Sequence, residues 1–265
     1  MSRVFQSSHP LVFAHRGGAR LRPENTLVAF EHAVALGADG LECDVHLSRD
    51  GVPVVIHDAT LERTTDARGP VAAMAAAELA RVDAGYYFDA GGGYAFRGRG
   101  IGVPTLDEML RRFDTARVIV EMKGSTPTLA RAVVDTVRNA DAAERVCVGS
   151  FHEGALDVVR ALAPELATSA SASEVQWTLY RSWIRLILRS RRRYVAFQVP
   201  ERSGRLAVVS PTFVRHVHRE GQIVQTWVID RREDCRRLLQ WGVDGLISDR
   251  PDVAIEERDA WLRGR

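Results

Sequence analysis

The sequence predicts an α/β fold closed into a TIM (β/α)8 barrel, and three observations carry that expectation. Short β-like apolar runs alternate with helical patterns along the whole chain, the signature of parallel strands joined by crossover helices. The 265 residues match the roughly 250 of one such barrel. The open, doubly wound alternative lacks its fingerprints, because no G-x-G-x-x-G follows an early strand and no G-x-x-x-x-G-K-[ST] occurs.

Taken in order, a strand over 11–16 ends in His15 and Arg16, and Gly17-Gly18 then allows a tight turn close to a ligand. A helix over 26–36 leads to strands over 40–46 and 52–57, the second ending at His57. Residues 60–104 break the rhythm with an Ala-rich helix and a Gly-Arg tract, and are too long for a plain barrel loop. They read as a small inserted cap after the strand ending at His57, its Gly-rich part either a mobile lid or a long irregular loop. Strands over 117–123, 145–150, 166–170, 195–199, 222–229 and 244–248 follow, with helices over 105–114, 127–140, 153–162, 173–192, 211–220 and 231–241. Residues 1–265 are expected to form one domain.

Composition narrows the function. The chain is 46% hydrophobic and 26% charged, ordinary for a soluble globular protein. A net charge of +2 and a pI near 8.6 are too weak a bias for nucleic acid. Cys43, Cys147 and Cys235 are scattered and odd in number, which argues against a disulfide framework and for a reducing compartment. Without an apolar leader or a run of membrane-spanning length, a cytoplasmic location is expected.

Period-two alternation sorts the side chains of the early strands. Leu41, Cys43 and Val45 face one way, and Glu42, Asp44 and His46 the other; Ile119, Glu121 and Lys123 share one face. Glu42, Asp44 and Glu121 would therefore point into one barrel mouth. Three carboxylates gathered there repel one another unless a cation intervenes, and hard oxygen donors favour Mg2+ or Ca2+ over zinc. A salt-bridge network with Arg16 and Lys123 is the other reading of the same spacing. His15 and His57 end separate strands and suit an acid and a base; His9, His32, His152, His216 and His218 read as structural. Of 36 basic side chains only Lys123 is a lysine, and with Arg16 it supplies positive charge suited to an anionic, above all phosphate, substrate.

These motifs resemble a known family. H-R-G at 15–17, P-E-N-T at 23–26, E-x-D at 42–44, H-D at 57–58 and E-x-K at 121–123 are similar, in order, to the glycerophosphodiester phosphodiesterases. So are Phe197-Gln-Val-Pro-Glu201, the strand around Trp227, and Gly245-Leu-Ile-Ser-Asp-Arg-Pro251. The resemblance implies hydrolysis of a glycerophosphodiester to sn-glycerol 3-phosphate and an alcohol. It further implies a divalent metal on Glu42, Asp44 and Glu121, His15 and His57 as general acid and base, and phosphate held by Arg16 and Lys123. Gln198 and Trp227 would line the pocket. The family's usual W-T-V-N reads Trp227-Val-Ile-Asp230 here, a departure beside Trp227.

Residues 175–193 complicate the substrate. Arg181, Arg185 and Arg189 repeat at i, i+4 beside Trp177, Tyr180, Trp183 and Ile184. Such a helix either packs its apolar face on the barrel with arginines in solvent, or lies on an anionic membrane surface. The second reading brings an alternative activity, a lysophospholipase D acting on lysophospholipids at the inner membrane surface. A non-catalytic barrel binding a phosphorylated ligand would be expected to lack a histidine or a carboxylate of the set, and all are present.

Overall fold

A computed structural model of the protein describes residues 3–184, 186–187 and 193–264. In chain order its elements are β1 (Leu11–Ala14), α1 (Leu27–Ala35), β2 (Gly40–Leu47), β3 (Pro53–Val55), α2 (Ala76–Leu79), α3 (Leu106–Arg112), β4 (Arg117–Met122), α4 (Pro127–Asn139), β5 (Val146–Gly149) and α5 (Glu153–Leu162). The second half comprises β6 (Ala167–Thr168), α6 (Ala172–Trp183), β7 (Ala196–Pro200), β8 (Arg202–Ser203), β9 (Leu206–Ala207), α7 (Pro211–Arg219), β10 (Ile223–Trp227), α8 (Arg232–Trp241), β11 (Gly245–Ser248) and α9 (Pro251–Arg263).

Eight strands lie side by side in parallel, in the order β6-β5-β4-β2-β1-β11-β10-β7. The ends of that path meet where Ser169 bridges Ala196 in parallel, and the Val195 N–H donates to the Thr168 carbonyl at 3.0 Å. The sheet thus curls into the expected barrel. Leu41, Cys43 and Val45 of β2 join Val118, Val120 and Met122 of β4 in a buried layer under α1, α3, α4 and α5. A second layer packs β7, β10 and β11 under α7, α8 and α9. The barrel interior is small, with Leu11, Phe13, Ile119 and Ile247 at its centre.

The helices begin where their caps dictate. Thr126, Ser171 and Ser210 each accept a backbone N–H of the first turn, and Pro127 and Pro211 open α4 and α7. Ser171 and Glu174 form a reciprocal capping box.

Several elements differ from the sequence expectation. The strand expected over 52–57 is the shorter β3, and it pairs antiparallel with β2 instead of joining the barrel path. Asp50-Gly51, with Gly51 at φ 79°, turns the chain straight back, so no crossover helix intervenes. The Ala-rich helix is a single turn, α2. The segment 60–104 carries its own core, in which Leu61, Val71, Leu79 and Val103 pack on Val54 and Ile56 of the hairpin. Its glycine tract is an irregular loop in which Asp89 accepts the N–H groups of Gly91, Gly92 and Gly93 at 2.8–3.0 Å. The final helix α9 was not expected, because buried Glu257 and Arg258 blur its apolar periodicity.

Most consequential is α6. Arg181, read as part of an exposed cationic stripe, is fully buried and ion-paired with Glu220. Trp177, Tyr180, Trp183 and Ile184 are exposed instead. Arg185 and Arg189 lie outside the described residues.

Candidate active site

A cavity of about 360 Å3 opens at the C-terminal ends of the barrel strands, the end where barrels of this kind carry their chemistry. His15, Arg16, Glu42, His57, Glu121, Lys123, Gln198 and Trp227 all line it. Asp44 lies beneath, fully buried. All nine residues expected from the sequence therefore gather around one space.

The parallel register of β2 and β4 sets Asp44 opposite Glu121. Period-two alternation adds Glu42, and the three residues offer oxygens within 4.8 Å of one another, a group that can hold a metal ion. Lys123 Nζ lies 2.9 Å from Asp44 Oδ1 and 2.7 Å from Glu121 Oε1, and Arg16 Nε is 3.1 Å from Asp44 Oδ2. The salt-bridge network is thus present, but among the described residues neither of its cations forms an ion pair with Glu42. Burial first, then Asp44 and Glu121, push the Glu42 carboxyl up to about 8. Its nearest partners are the Arg16 backbone N–H at 2.9 Å and His15 Nε2 at 3.9 Å. Burial beside two other carboxylates opposes ionisation of Glu42, and a hard divalent cation would relieve that cost. The donor set fits one. Burial opposes ionisation of Asp44 as well, but Lys123 and Arg16 outweigh it and hold its pKa below the usual value.

Local backbone chemistry sets this arrangement. Arg16 and Asn25 both take the left-handed conformation, at φ 51° and 58°. Asn tolerates it well, whereas arginine does so at a cost that points to a constrained site. Asn25 Nδ2 donates to Asp44 Oδ2 at 2.9 Å, and the Asp44 N–H donates to Asn25 Oδ1 at 3.2 Å. Gly17, at φ 81°, has no substitute, since a Cβ there would lie 2.6 Å from Ala29 Cβ.

Each histidine is held by an aspartate that sequence reasoning did not single out. His15 Nδ1 is 2.6 Å from Asp249 Oδ1, and His57 Nδ1 is 2.6 Å from Asp58 Oδ1. A carboxylate only accepts, so Nδ1 carries the hydrogen in both rings and Nε2 is left for chemistry. Burial would lower the His15 pKa, but Glu42 and Asp249 outweigh it and raise it above the ordinary value. Asp58 is drawn down to about 2, chiefly by its hydrogen bond from Arg63. Arg63, from the 60–104 segment, also grips Glu24 at 2.8 Å, and Glu24 accepts from Arg16 at 3.0 Å. His46 Nε2 lies 2.9 Å from the His57 carbonyl and steadies that turn.

The departure at Asp230 proves coherent. Its Oδ1 accepts from the Asp249 N–H at 2.9 Å and from Ser248 Oγ at 3.0 Å, which places Asp249 against His15. Trp227 stands edge-on to Phe151 at 6.0 Å, and Gln198 Nε2 donates to Gln225 Oε1 at 2.9 Å. The signals for Asp58 and Asp249 were in view, one in H-D and the other in Ser-Asp-Arg-Pro, but only folding shows which histidine each serves.

Comparison with known proteins gives this geometry its context. The sequence profile described as the glycerophosphoryl diester phosphodiesterase family matches residues 15–253. The chain belongs to the glycerophosphoryl diester phosphodiesterase family. A glycerophosphodiester phosphodiesterase of Caldanaerobacter subterraneus subsp. tengcongensis is 34% identical over 253 residues, covering 92% of this chain and 96% of the relative. One from Bacillus altitudinis is 32% identical, covering 94% and 98%. Among solved structures, an Oleispira antarctica phosphodiesterase in complex with the product sn-glycerol-3-phosphate superposes with a TM-score of 0.77 at 27% identity, covering 95% of this chain and 97% of that one. A domain of the family from Mycobacterium tuberculosis shares the barrel, with a TM-score of 0.82 at 23% identity and 96% of this chain covered. The chain is accordingly a phosphodiesterase of the glycerophosphoryl diester phosphodiesterase family, built on the barrel its sequence predicts.

Proposed function

We propose that this chain hydrolyses glycerophosphodiesters to sn-glycerol 3-phosphate and an alcohol in a divalent-metal-dependent reaction, with Glu42, Asp44 and Glu121 as ligands for Mg2+ or Ca2+. The observation that carries the reading is the pairing of two histidine–aspartate couples with three converging carboxylates on one cavity. When bound, such an ion supplies positive charge that polarises a phosphoryl oxygen and eases attack at phosphorus.

The protein's own groups do the rest. Lys123, between Asp44 and Glu121, faces the cavity and is placed to meet phosphate. Arg16, fixed by Glu24 and Asp44, faces it from the β1 side. One histidine takes a proton from the attacking water through Nε2 as the new P–O bond forms. The other gives its Nε2 proton to the departing alkoxide as the old bond breaks. Asp249 and Asp58 hold the two rings in the required tautomer and stabilise whichever is cationic. Gln198 and Trp227 line the remaining wall on which the substrate rests. The product complex of the Oleispira antarctica relative supports the same product here. The three cysteines, all free and buried, accord with work in a reducing compartment such as the cytoplasm.

The test couples release of sn-glycerol 3-phosphate to a dehydrogenase readout, with glycerophosphocholine as substrate and EDTA, Mg2+ or Ca2+ added in turn. Turnover should vanish with EDTA and return with one of the ions. His15→Ala and His57→Ala should each abolish turnover while calorimetry still shows metal binding. Near-normal activity in either variant sinks the acid–base assignment, and activity after exhaustive dialysis against EDTA sinks the metal.

A further inference from the structure

The catalytic cavity has two unlike sides. Its ionisable lining residues, among those described, all come from the C-terminal ends of β1 to β4 or the turns that follow them. Around the closed path β7 is separated from β2 by β1, β11 and β10 one way and by β4, β5 and β6 the other, so it stands across the barrel from the carboxylates. The wall on that far side is built by β7, the β8–β9 hairpin and the first turns of α6, and no described residue lining it carries a charge. Alternation along β7 shows how far the space extends. Gln198 points to the barrel interior, where it bonds Gln225, so Val199 points out toward the helices. Val199 belongs with Leu179 of α6 and Val208, just after β9, to one buried apolar layer. All three nevertheless line the cavity, as does half-buried Val175 one turn before Leu179. The space therefore runs over the end of β7 and into the layer between that strand and α6.

The hairpin borders the same space. Ser203 and Leu206 are directly paired across β8 and β9, so their side chains leave the hairpin on one face, and both line the cavity. Leu206 is nonetheless 44% exposed. Phe151 and Val228, on the loops after β5 and β10, also line the cavity and are 57% and 36% exposed. Three apolar side chains left in water around one pocket mark a ligand-binding groove.

We propose that the β7–α6 side of the cavity is a subsite for a hydrocarbon chain carried by the phosphodiester, so that the preferred substrates are amphiphilic glycerophosphodiesters. This deepens the phosphodiesterase reading above and rests on it. A charged group finds no counter-ion on that wall, whereas each methylene that leaves water for it strengthens binding about fourfold. The chain can hang from either end of the diester, as an ester on the glycerol or as the alcohol itself. The chemistry is the same in both cases. Water adds its oxygen to phosphorus, the bond from phosphorus to the alcohol oxygen breaks, and the alcohol leaves with a proton from the acid histidine while the phosphate stays on the glycerol.

Two series of substrates, each kept below its micellar concentration, test it in the metal-loaded enzyme. One is glycerophospho-n-alkanols from ethanol to octanol, read by release of sn-glycerol 3-phosphate. The other is 1-acylglycerophosphocholines from acetyl to octanoyl, read by release of choline. In at least one series kcat/KM should climb roughly three- to fourfold per methylene until the subsite is full, and the series that climbs tells which end of the substrate carries the chain. Leu206→Asn should cut the total gain across that series about fivefold or more. Ala172→Phe, at an exposed position of α6 that lines the same cavity, should shorten the longest chain accepted. Both variants should melt at the parent temperature, and the readout is a slope against chain length, which a general loss of activity does not change. Flat series in both arms overturn the proposal, as do variants that keep the parent slope and the parent length limit. Calorimetry with n-alkyl phosphates from methyl to hexyl needs no turnover. Affinity that climbs with chain length in a protein that cleaves nothing refutes the phosphodiesterase reading alone; flat affinity beside active cleavage of glycerophosphocholine refutes the subsite alone.

Discussion

Replacing Asp249 with asparagine removes one charge 2.6 Å from His15 Nδ1 and almost no volume. The site should otherwise stand, because the Asp249 N–H and Ser248 hydroxyl remain bonded to Asp230. The side chains of His15 and Asp249 are only 13% and 20% exposed, so water replaces the lost contact poorly. A hydrogen bond to a charged partner is worth about 1.5–3 kcal/mol. If that contact is strongest when His15 is cationic during proton transfer, its loss lowers kcat by roughly 10- to 150-fold. Asparagine can also donate to Nδ1, which would move the ring hydrogen to Nε2 and spoil whichever role His15 plays. The assay is steady-state release of sn-glycerol 3-phosphate, with kcat and KM separated and urea unfolding run beside it. The fall should lie in kcat, with KM and stability near the parent values. A kcat within about threefold of the parent, or a loss confined to KM, would refute the positioning argument.

Two further outcomes follow from the same physical reasoning. Gly17→Ala puts a Cβ 2.6 Å from Ala29 Cβ at a φ of 81°, so α1 must shift off the turn that carries His15 and Arg16; the expected loss is about 1–3 kcal/mol in urea unfolding, and a change under about 0.5 kcal/mol contradicts it. His218 Nε2 sits 2.7 Å from Asp244 Oδ2, and that hydrogen bond raises its pKa above 6.5. A raised folded pKa gives stability that is fully present below 6.5 and lost as pH rises through the folded value. The stability gap between parent and His218→Asn should therefore narrow as pH rises from about 5 to 9, by under about 1 kcal/mol for so exposed a pair; a gap that widens has the wrong sign.

Much of this was legible because the informative contacts are short in sequence or enforced by alternation. Glu42 and Asp44 share a strand face whatever the fold, and Glu121 and Lys123 do likewise. What escaped were contacts between distant segments. Asp249 reaches His15 across 234 residues, and no spacing rule joins them. The helix α9 escaped because Glu257 bonds Arg232 and Arg236, and Arg258 bonds Asp39. Buried ion pairs of this kind break the apolar period that marks a helix.

The same limit explains α6, where alternation of arginine and tryptophan gave the wrong side as the inner one. Periodicity locates two faces but does not say which is buried; here Glu220, on another element, draws Arg181 inward and leaves the rings outside. By itself the sequence determined the barrel, the family and the nine residues around the cavity, since these follow from strand alternation and ordered local motifs. Only the tertiary structure decided which aspartate orients each histidine, why the Glu42 carboxyl is held above the usual range, and which face of α6 meets solvent. Those depend on partners that chain folding brings together, and burial strengthens their electrostatics far beyond anything a linear pattern encodes.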